Sequence, residues 1–369
     1  MIEIKDLFRT LNKNNINFFT GVPDSVLKLF SNEIEKKNQS KHIVASNEGS
    51  AIALASGYFL AKKKIACVYM QNSGLGNAIN PLASIAHSKV YSIPIFLIIG
   101  WRGSPEAGKD EPQHLVKGKI TKNLLKLLGI NSIVIRKKGD LKKIDKLIHS
   151  AKKFSKPVAC LIENGILISK INKKAVTIKS SSEITRSYFI EQMLNIISAK
   201  SRIIATTGYT SRELNQMRKF TKKNRGKDFY MVGGMGHSSI VSLGYSLNSK
   251  KETICLDGDG SLLMHLGSLP MIGNFAKKNF KHILLNNRMH ESVGGQKTIS
   301  GKINFKKLSE STNYQNYFYI KRKKDIQKVL RKFFKKSGPS FLNVEIKKGS
   351  LKNLSRPKDF IKIKKNFSR

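Results

Sequence analysis

Gly258-Asp259-Gly260-Ser261 stands between a short apolar run, TICLD, and a helix-like stretch from Leu262 to Lys277. A glycine-rich turn at such a junction lets backbone N–H groups and a helix N-terminus approach a phosphate. The next apolar run, KHILLNN, closes on Asn286-Asn287. Asp259 and Asn287 are therefore expected at the carboxyl ends of successive strand units, the edge where open α/β sheets bind ligands. A carboxylate, an amide oxygen and a phosphate make an oxygen-only shell suited to Mg2+. Taken singly, each feature has a plainer reading: a glycine turn reverses the chain, and Asn-Asn is an ordinary polar turn.

The elements that must carry these residues alternate along the whole chain. NINFFTGVP, HIVAS, KIACVYMQ, IPIFLIIGW, SIVIRK and PVACLIEN are short apolar runs, separated by helix-length stretches such as Asp24–Lys37, Gly49–Lys63 and Asp140–Lys152. The alternation restarts with RIIATTG, DFYMVGG, TICLDG, KHILLNN, NYFYI and SFLNVEI. Near-continuous apolar strands separated by helices imply parallel sheets covered on both faces. The fold class is α/β, with two doubly wound parallel-sheet domains: residues 1–168, a polar linker over 169–183, and 184–369. SGYFLAKKKIACVYMQNSGLGN in the first half resembles LGYSLNSKKETICLDGDGSL in the second, which favours an internal duplication.

Composition narrows the function classes. The chain has 369 residues and a formal net charge of +44. That charge invites a nucleic-acid reading. The excess is Lys, however, with only 13 Arg among 68 basic residues, and it is spread as KK and KKK pieces over the chain. Base and phosphate readers lean on the Arg fork, so a solvated basic surface is the preferred reading and a nucleic-acid-binding protein the unfavoured one. No apolar run reaches the ~20 residues of a membrane helix. MIEIKDLFRT lacks a secretory apolar stretch, and Cys67, Cys160 and Cys255 form no CxxC pair, so a cytoplasmic protein without disulfides or zinc is expected.

GDG followed by NN just under thirty residues later resembles the thiamine diphosphate motif. GVPDS (Gly21–Ser25), SNEGSAIALASGY (Ser46–Tyr58), QNSGLGNAINPL (Gln71–Leu82), WRGSPEAGKDEPQH (Trp101–His114), TTGYTSREL (Thr206–Leu214), GGMGHSSIVSLGY (Gly233–Tyr245) and HESVGGQ (His290–Gln296) extend the likeness over nearly the full chain. They resemble the phosphonopyruvate decarboxylases, with the sulfopyruvate decarboxylases as close relatives. The linker is too short for the middle domain of larger family members. The resemblance implies a pyrimidine-binding domain followed by a diphosphate-binding domain, and thiamine diphosphate with Mg2+ as cofactors. It gives Glu48 the bond to N1′ of the aminopyrimidine; from charge alone, Glu48 is a helix-start carboxylate. It gives Mg2+ to Asp259, Asn287 and the backbone oxygen of Met289, and diphosphate oxygens to Thr207 and Ser261. Gly234, Met235, Gly236 and His237 fall in the cofactor loop, where Met235 takes the place of the bulky residue under the cofactor. Gly258 and Gly260 flank the metal carboxylate, and Gly74, Gly76 and Asn77 line the pyrimidine pocket.

The reaction implied is decarboxylation of 3-phosphonopyruvate to phosphonoacetaldehyde and CO2, with sulfopyruvate to sulfoacetaldehyde as the alternative. Such a reaction needs a proton donor for the product carbon. Asp24, Ser25 and His114 are the candidates, although Asp24 also reads as a helix N-cap. A phosphonate needs facing cations, and Arg102, Lys109, Lys117, Arg288 and Lys297 lie in the relevant loops. Arg288 departs from the small residue expected after NN. The expected partners are a small anionic 2-oxo acid and a second copy of the chain, with no specific nucleic acid and no membrane. The pyrimidine and diphosphate residues lie in different domains. The family likeness therefore implies a homodimer or dimer of dimers with active sites shared between chains.

Overall fold

The computed structural model of the protein describes residues 1–108, 110–169, 182–221 and 227–368. Lys109 and most of the 169–183 linker thus fall outside the described residues. The chain divides into two compact units, the first built from Met1–Val176 with Val293–Gln296, the second from Thr177–Ser292 with Lys297–Arg369.

The sheet of the first unit contains β1 (Phe19–Gly21), β2 (His42–Val44), β3 (Ala66–Gln71), β4 (Ile95–Trp101), β5 (Asn131–Ile135) and β6 (Val158–Glu163). Their spatial order is β2-β1-β3-β4-β6-β5, every neighbouring pair parallel. Successive side chains alternate between two cores. Cys67, Tyr69, Phe96, Ile98, Cys160 and Ile162 face one, and Val68, Met70, Leu97, Ile99, Ala159 and Leu161 face the other. Period-two alternation with both faces apolar is what a helix-covered parallel strand requires.

The second sheet contains β7 (Arg202–Ala205), β8 (Phe229–Tyr230), β9 (Thr253–Gly258), β10 (Phe280–Asn286), β11 (Asn316–Ile320) and β12 (Ser340–Glu345). Its order is β8-β7-β9-β10-β12-β11, again all parallel. The two orders are the same, strand for strand, as the internal sequence likeness anticipates. In each unit the chain reverses its direction of travel between the first and third strands, so a ligand crevice is expected at those carboxyl ends. GVPDS follows β1 and GDGS closes β9, which puts both motifs at the switch points. The three cysteines are free and buried, and no helix among the described residues is long and apolar enough to cross a membrane.

Two helices differ from expectation. The stretch from Leu262 to Lys277 is not continuous: one helix covers Asp259–Met264 and another Ser268–Phe275. Pro270 lacks the N–H that an unbroken helix would bond to Leu266, and its ring would strike that carbonyl, so it is accommodated only in the first turn of a new helix. The helix expected over Asp24–Lys37 is regular only over Lys28–Ile34. Asp24 instead spends one carboxylate oxygen on the Leu27 N–H, which holds the entry turn.

Candidate functional site

In the second unit, the Ser261 hydroxyl ties three segments together. Thr206 Oγ1 at the end of β7 donates to it at 2.9 Å, and the Gly236 N–H donates at 3.1 Å. Thr207, the next residue along the chain from Thr206, is half-buried. Gly236 has φ +92°, and a Cβ there would lie 2.4 Å from the His265 ring. His265 in turn stacks on His237 with centroids 4.4 Å apart. Gly234, also left-handed, is exposed, and Met235 is half-buried. A Cβ on Gly260 would stand 2.7 Å from His290 Nδ1 and 3.3 Å from Met235 Cε, so only glycine fits.

Asp259 opens the helix after Gly258 and is 2% exposed. Its Oδ2 accepts from the Thr298 hydroxyl, and the Ser300 hydroxyl lies between this oxygen (2.9 Å) and Asn286 Oδ1 (3.0 Å). One hydroxyl has one proton, so this pair of acceptors keeps unspent lone pairs. Burial pushes the Asp259 carboxyl up to about 6, against the pull of its hydroxyl donors. A nearly dry carboxylate beside an amide oxygen is a place for a cation. Beneath the turn, the buried Asp257 accepts from the Ser238 hydroxyl (3.1 Å) and the Gly258 N–H (2.9 Å), which fixes where the turn begins.

Asn287 is half-buried: its Nδ2 donates to Glu291 Oε2 at 2.9 Å, and its Oδ1 accepts from the buried Met289 N–H at 3.1 Å. Between them Arg288 sits at φ +61°, backbone that costs a side-chain-bearing residue ~1–3 kcal/mol and a glycine almost nothing. That explains why a small residue suits the position. Arg288 compensates by pairing its guanidinium with Glu345 at 2.8 Å.

The first unit builds a second constellation. Glu48 begins the helix Glu48–Lys62, which Asn47 caps by accepting the Ser50 N–H at 2.8 Å. Glu48 is 5% exposed, and Asn77 Nδ2 donates to its Oε2 at 2.8 Å. A Cβ on Gly49 would be 2.8 Å from the Asn77 carbonyl, so glycine allows the two helix starts to close on each other. Gly74 is buried beside Glu48, whereas Gly76 is exposed. Asp24 is fully buried after β1: Gln71 Nε2 donates to its Oδ1 at 2.6 Å, and a Cβ on Gly100 would lie 1.9 Å from Oδ2. Burial raises the Asp24 carboxyl, with Gln71 opposing. Ser25 is half-buried in the turn that follows, and His114 is half-buried in the first turn of the helix Pro112–Leu127.

Two of the five candidate cations, Arg102 and Arg288, are held in ion pairs. Asp110 grips Arg102 with both oxygens, Nε to Oδ2 being 2.7 Å, and also accepts the Gly103 and Glu111 N–H groups. Asn72 clamps the Arg102 backbone from both sides. The guanidinium holds Asp110 well below the usual carboxylate range. Lys117 is half-buried and Lys297 exposed, while Lys109 lies outside the described residues. Motif reading passed over Asp110, Gln71, Thr206, Thr298, Ser300 and Glu291. Asp110 alone left a signal, an opposite charge eight residues from Arg102 in a turn-rich loop.

Residues 4–121 match the model for the thiamine pyrophosphate enzyme N-terminal TPP binding domain, and residues 206–344 that for the C-terminal TPP binding domain. A phosphonopyruvate decarboxylase of Streptomyces viridochromogenes is 32% identical over 97% of this chain and 92% of its own length. The chain belongs to the phosphonopyruvate decarboxylase family of thiamine pyrophosphate enzymes. A second phosphonopyruvate decarboxylase, from Streptomyces hygroscopicus, is 31% identical over 97% of this chain and 91% of its own. A sulfopyruvate decarboxylase of Methanosarcina acetivorans is 26% identical over 84% and 82%.

The residues present fit the cofactor of this family. A Cβ on Gly236 would strike the His265 ring and one on Gly260 the His290 ring, so both positions keep bare backbone next to Ser261. The His290 Nδ1 atom beside Gly260 is buried without a hydrogen-bond partner, a polar atom left over for a bound group. Burial holds the His290 imidazole down near 4, so it is neutral at physiological pH. The oxygen-only surroundings of Asp259 suit a hard divalent cation rather than a thiophilic one.

Proposed function

We propose that the chain decarboxylates 3-phosphonopyruvate to phosphonoacetaldehyde and CO2, using thiamine diphosphate and Mg2+. The carrying observation is the buried Asp259 carboxylate, joined through Ser300 to Asn286 at the end of the adjacent strand. Family membership supports the rest. In this reading Asp259, Asn287 and the Met289 carbonyl hold Mg2+, and Ser261 with the Gly234–His237 loop holds the diphosphate. The bound cofactor supplies the electron sink for the bond to the departing carboxylate. Glu48, fixed by Asn77, holds a proton at N1′ of the pyrimidine. Asp24, whose carboxyl is raised by burial, supplies the proton that replaces the carboxylate on the product carbon. Arg102 and Arg288 meet the phosphonate as members of ion pairs, together with Lys109. The protein works in the cytoplasm as a homodimer or dimer of dimers, with Glu48 of one chain serving the cofactor held by the second unit of another.

The test is the ratio of kcat/KM on phosphonopyruvate and sulfopyruvate, measured with thiamine diphosphate and Mg2+ and with product trapped as aldehyde. A ratio above one supports the assignment. A ratio below one makes the chain a sulfopyruvate decarboxylase, and no CO2 from either acid overturns the reading.

A further inference from the structure

The Asn287 side chain can act as an oxygen ligand only in one of its two amide orientations, and the structure contains a device that selects it. Glu291 Oε2 faces Asn287 Nδ2 at 2.9 Å. An ionised carboxylate accepts and cannot donate, so the NH2 end of Asn287 must be the end turned toward Glu291. The carbonyl end then turns the other way, where it accepts the Met289 N–H at 3.1 Å and retains a second lone pair. Glu291 is itself held. Arg186 Nη2 donates to the same Oε2 at 2.7 Å, and the Gly349 N–H donates to Oε1. Arg186 and Glu291 have side-chain exposures of 5% and 10%, so water competes little for either. Arg186 also lies 3.6 Å from Glu213, which accepts the Leu351 N–H at 2.9 Å. The start of the Arg186–Leu194 helix and the backbone around Gly349 thus converge on one carboxylate, and that carboxylate on one amide.

We infer that Glu291, clamped by Arg186, is a positioning residue that orients Asn287 so that its Oδ1, and not its NH2, faces the divalent cation. This rests on the reading of Asn287 as a metal ligand. Partners that orient ligands in this way typically change metal affinity by about ten- to a hundredfold when altered.

The experiment exchanges the polarity of the pair. E291Q keeps shape but replaces one acceptor oxygen with an NH2 and removes the charge that holds Arg186, so the side chain no longer dictates which end of Asn287 faces it. N287D alone sets two carboxylates face to face. The double variant E291Q/N287D restores a donor–acceptor pair and leaves an oxygen on the metal side. Mn2+ and Mg2+ dissociation constants are measured on the full chain by calorimetry with saturating thiamine diphosphate, beside the melting temperature of each apo protein. The expected result is about a ten- to hundredfold loss in E291Q and in N287D, and recovery to within about threefold of wild type in the double variant. If N287A binds metal as wild type does, the ligand reading itself falls. If N287A loses metal while E291Q lowers only the melting temperature, Glu291 is merely structural and the inference is wrong. A double variant no better than the worse single one also overturns it. Should E291Q fail to fold, R186K, which keeps the charge but loses the fork, must weaken metal binding for the inference to stand.

Discussion

A methyl group on Gly74 would lie 2.2 Å from Oε1 of Glu48, well inside any permitted contact. The glycine therefore sets where the carboxylate rests, and Asn77 holds its other oxygen from the opposite end of the same turn. Replacing Gly74 with Ala should push Glu48 off its position while leaving its chemistry unchanged. The expected result is a kcat lower by about a hundredfold or more, the range over which a displaced acid–base group loses its effect. C2-proton exchange in bound cofactor should slow in parallel, with thiamine diphosphate affinity within a few-fold of wild type. Wild-type exchange in Gly74→Ala would mean that Glu48 does not act on the cofactor.

Asp259 is the one carboxylate that touches Ser300 and Thr298 among the described residues. Asp259→Ala should therefore abolish Mg2+-dependent uptake of thiamine diphosphate in a chain that still melts cooperatively. Calorimetry checks it: full affinity in that variant would show the metal is held elsewhere.

Acid stability offers a test that needs no cofactor. His42 is 7% exposed, its Nε2 lies 2.8 Å from the Tyr69 hydroxyl, and burial lowers it from 6.5 to about 4. The unfolded chain binds this proton more readily than the folded one. The contribution of His42 to stability is thus complete above pH 6.5 and lost as pH falls toward 4. Asp24 and Asp259 are shifted upward and act in the opposite sense, so the difference between two proteins is the useful quantity. Between pH 7 and 4.5, wild type should lose roughly 1–3 kcal/mol more than His42→Gln in urea unfolding. Parallel curves would place His42 in a hydrated, freely titrating setting.

Shared active sites predict complementation. Glu48→Gln chains and Asp259→Ala chains should each be inactive, and mixing them with subunit exchange should return up to half the activity per dimer. No recovery despite proven exchange would put Glu48 and Asp259 to work within one chain.

The twelve strands of the two six-stranded sheets were legible because most lie in apolar runs rich in β-branched residues and bounded by turn formers. A strand buried on both faces admits little else. The helix break at His265–Gly267 was also in principle readable, from Pro270. The polar contacts were not. Ser300 reaches Asp259 across 41 positions, and Glu291 meets Arg186 across 105, with no local pattern to announce either. Arg102 shows the cost of this. Its charge and loop suggest a bare cation for the substrate, whereas the fold shows it already paired with Asp110, so it meets a substrate only as half of an ion pair. Spacing revealed which residues sit at the sheet edges, and only the folded geometry revealed which are already bonded.

The common strand order has a consequence for how the chain tolerates change. The first six-stranded sheet is complete by Glu163 and the second does not begin until Arg202. Each sheet has apolar clusters on both faces drawn from its own unit. Evolution could therefore alter either half as a self-sufficient module. A substitution inside one half's core then leaves the packing of the other half's core unchanged.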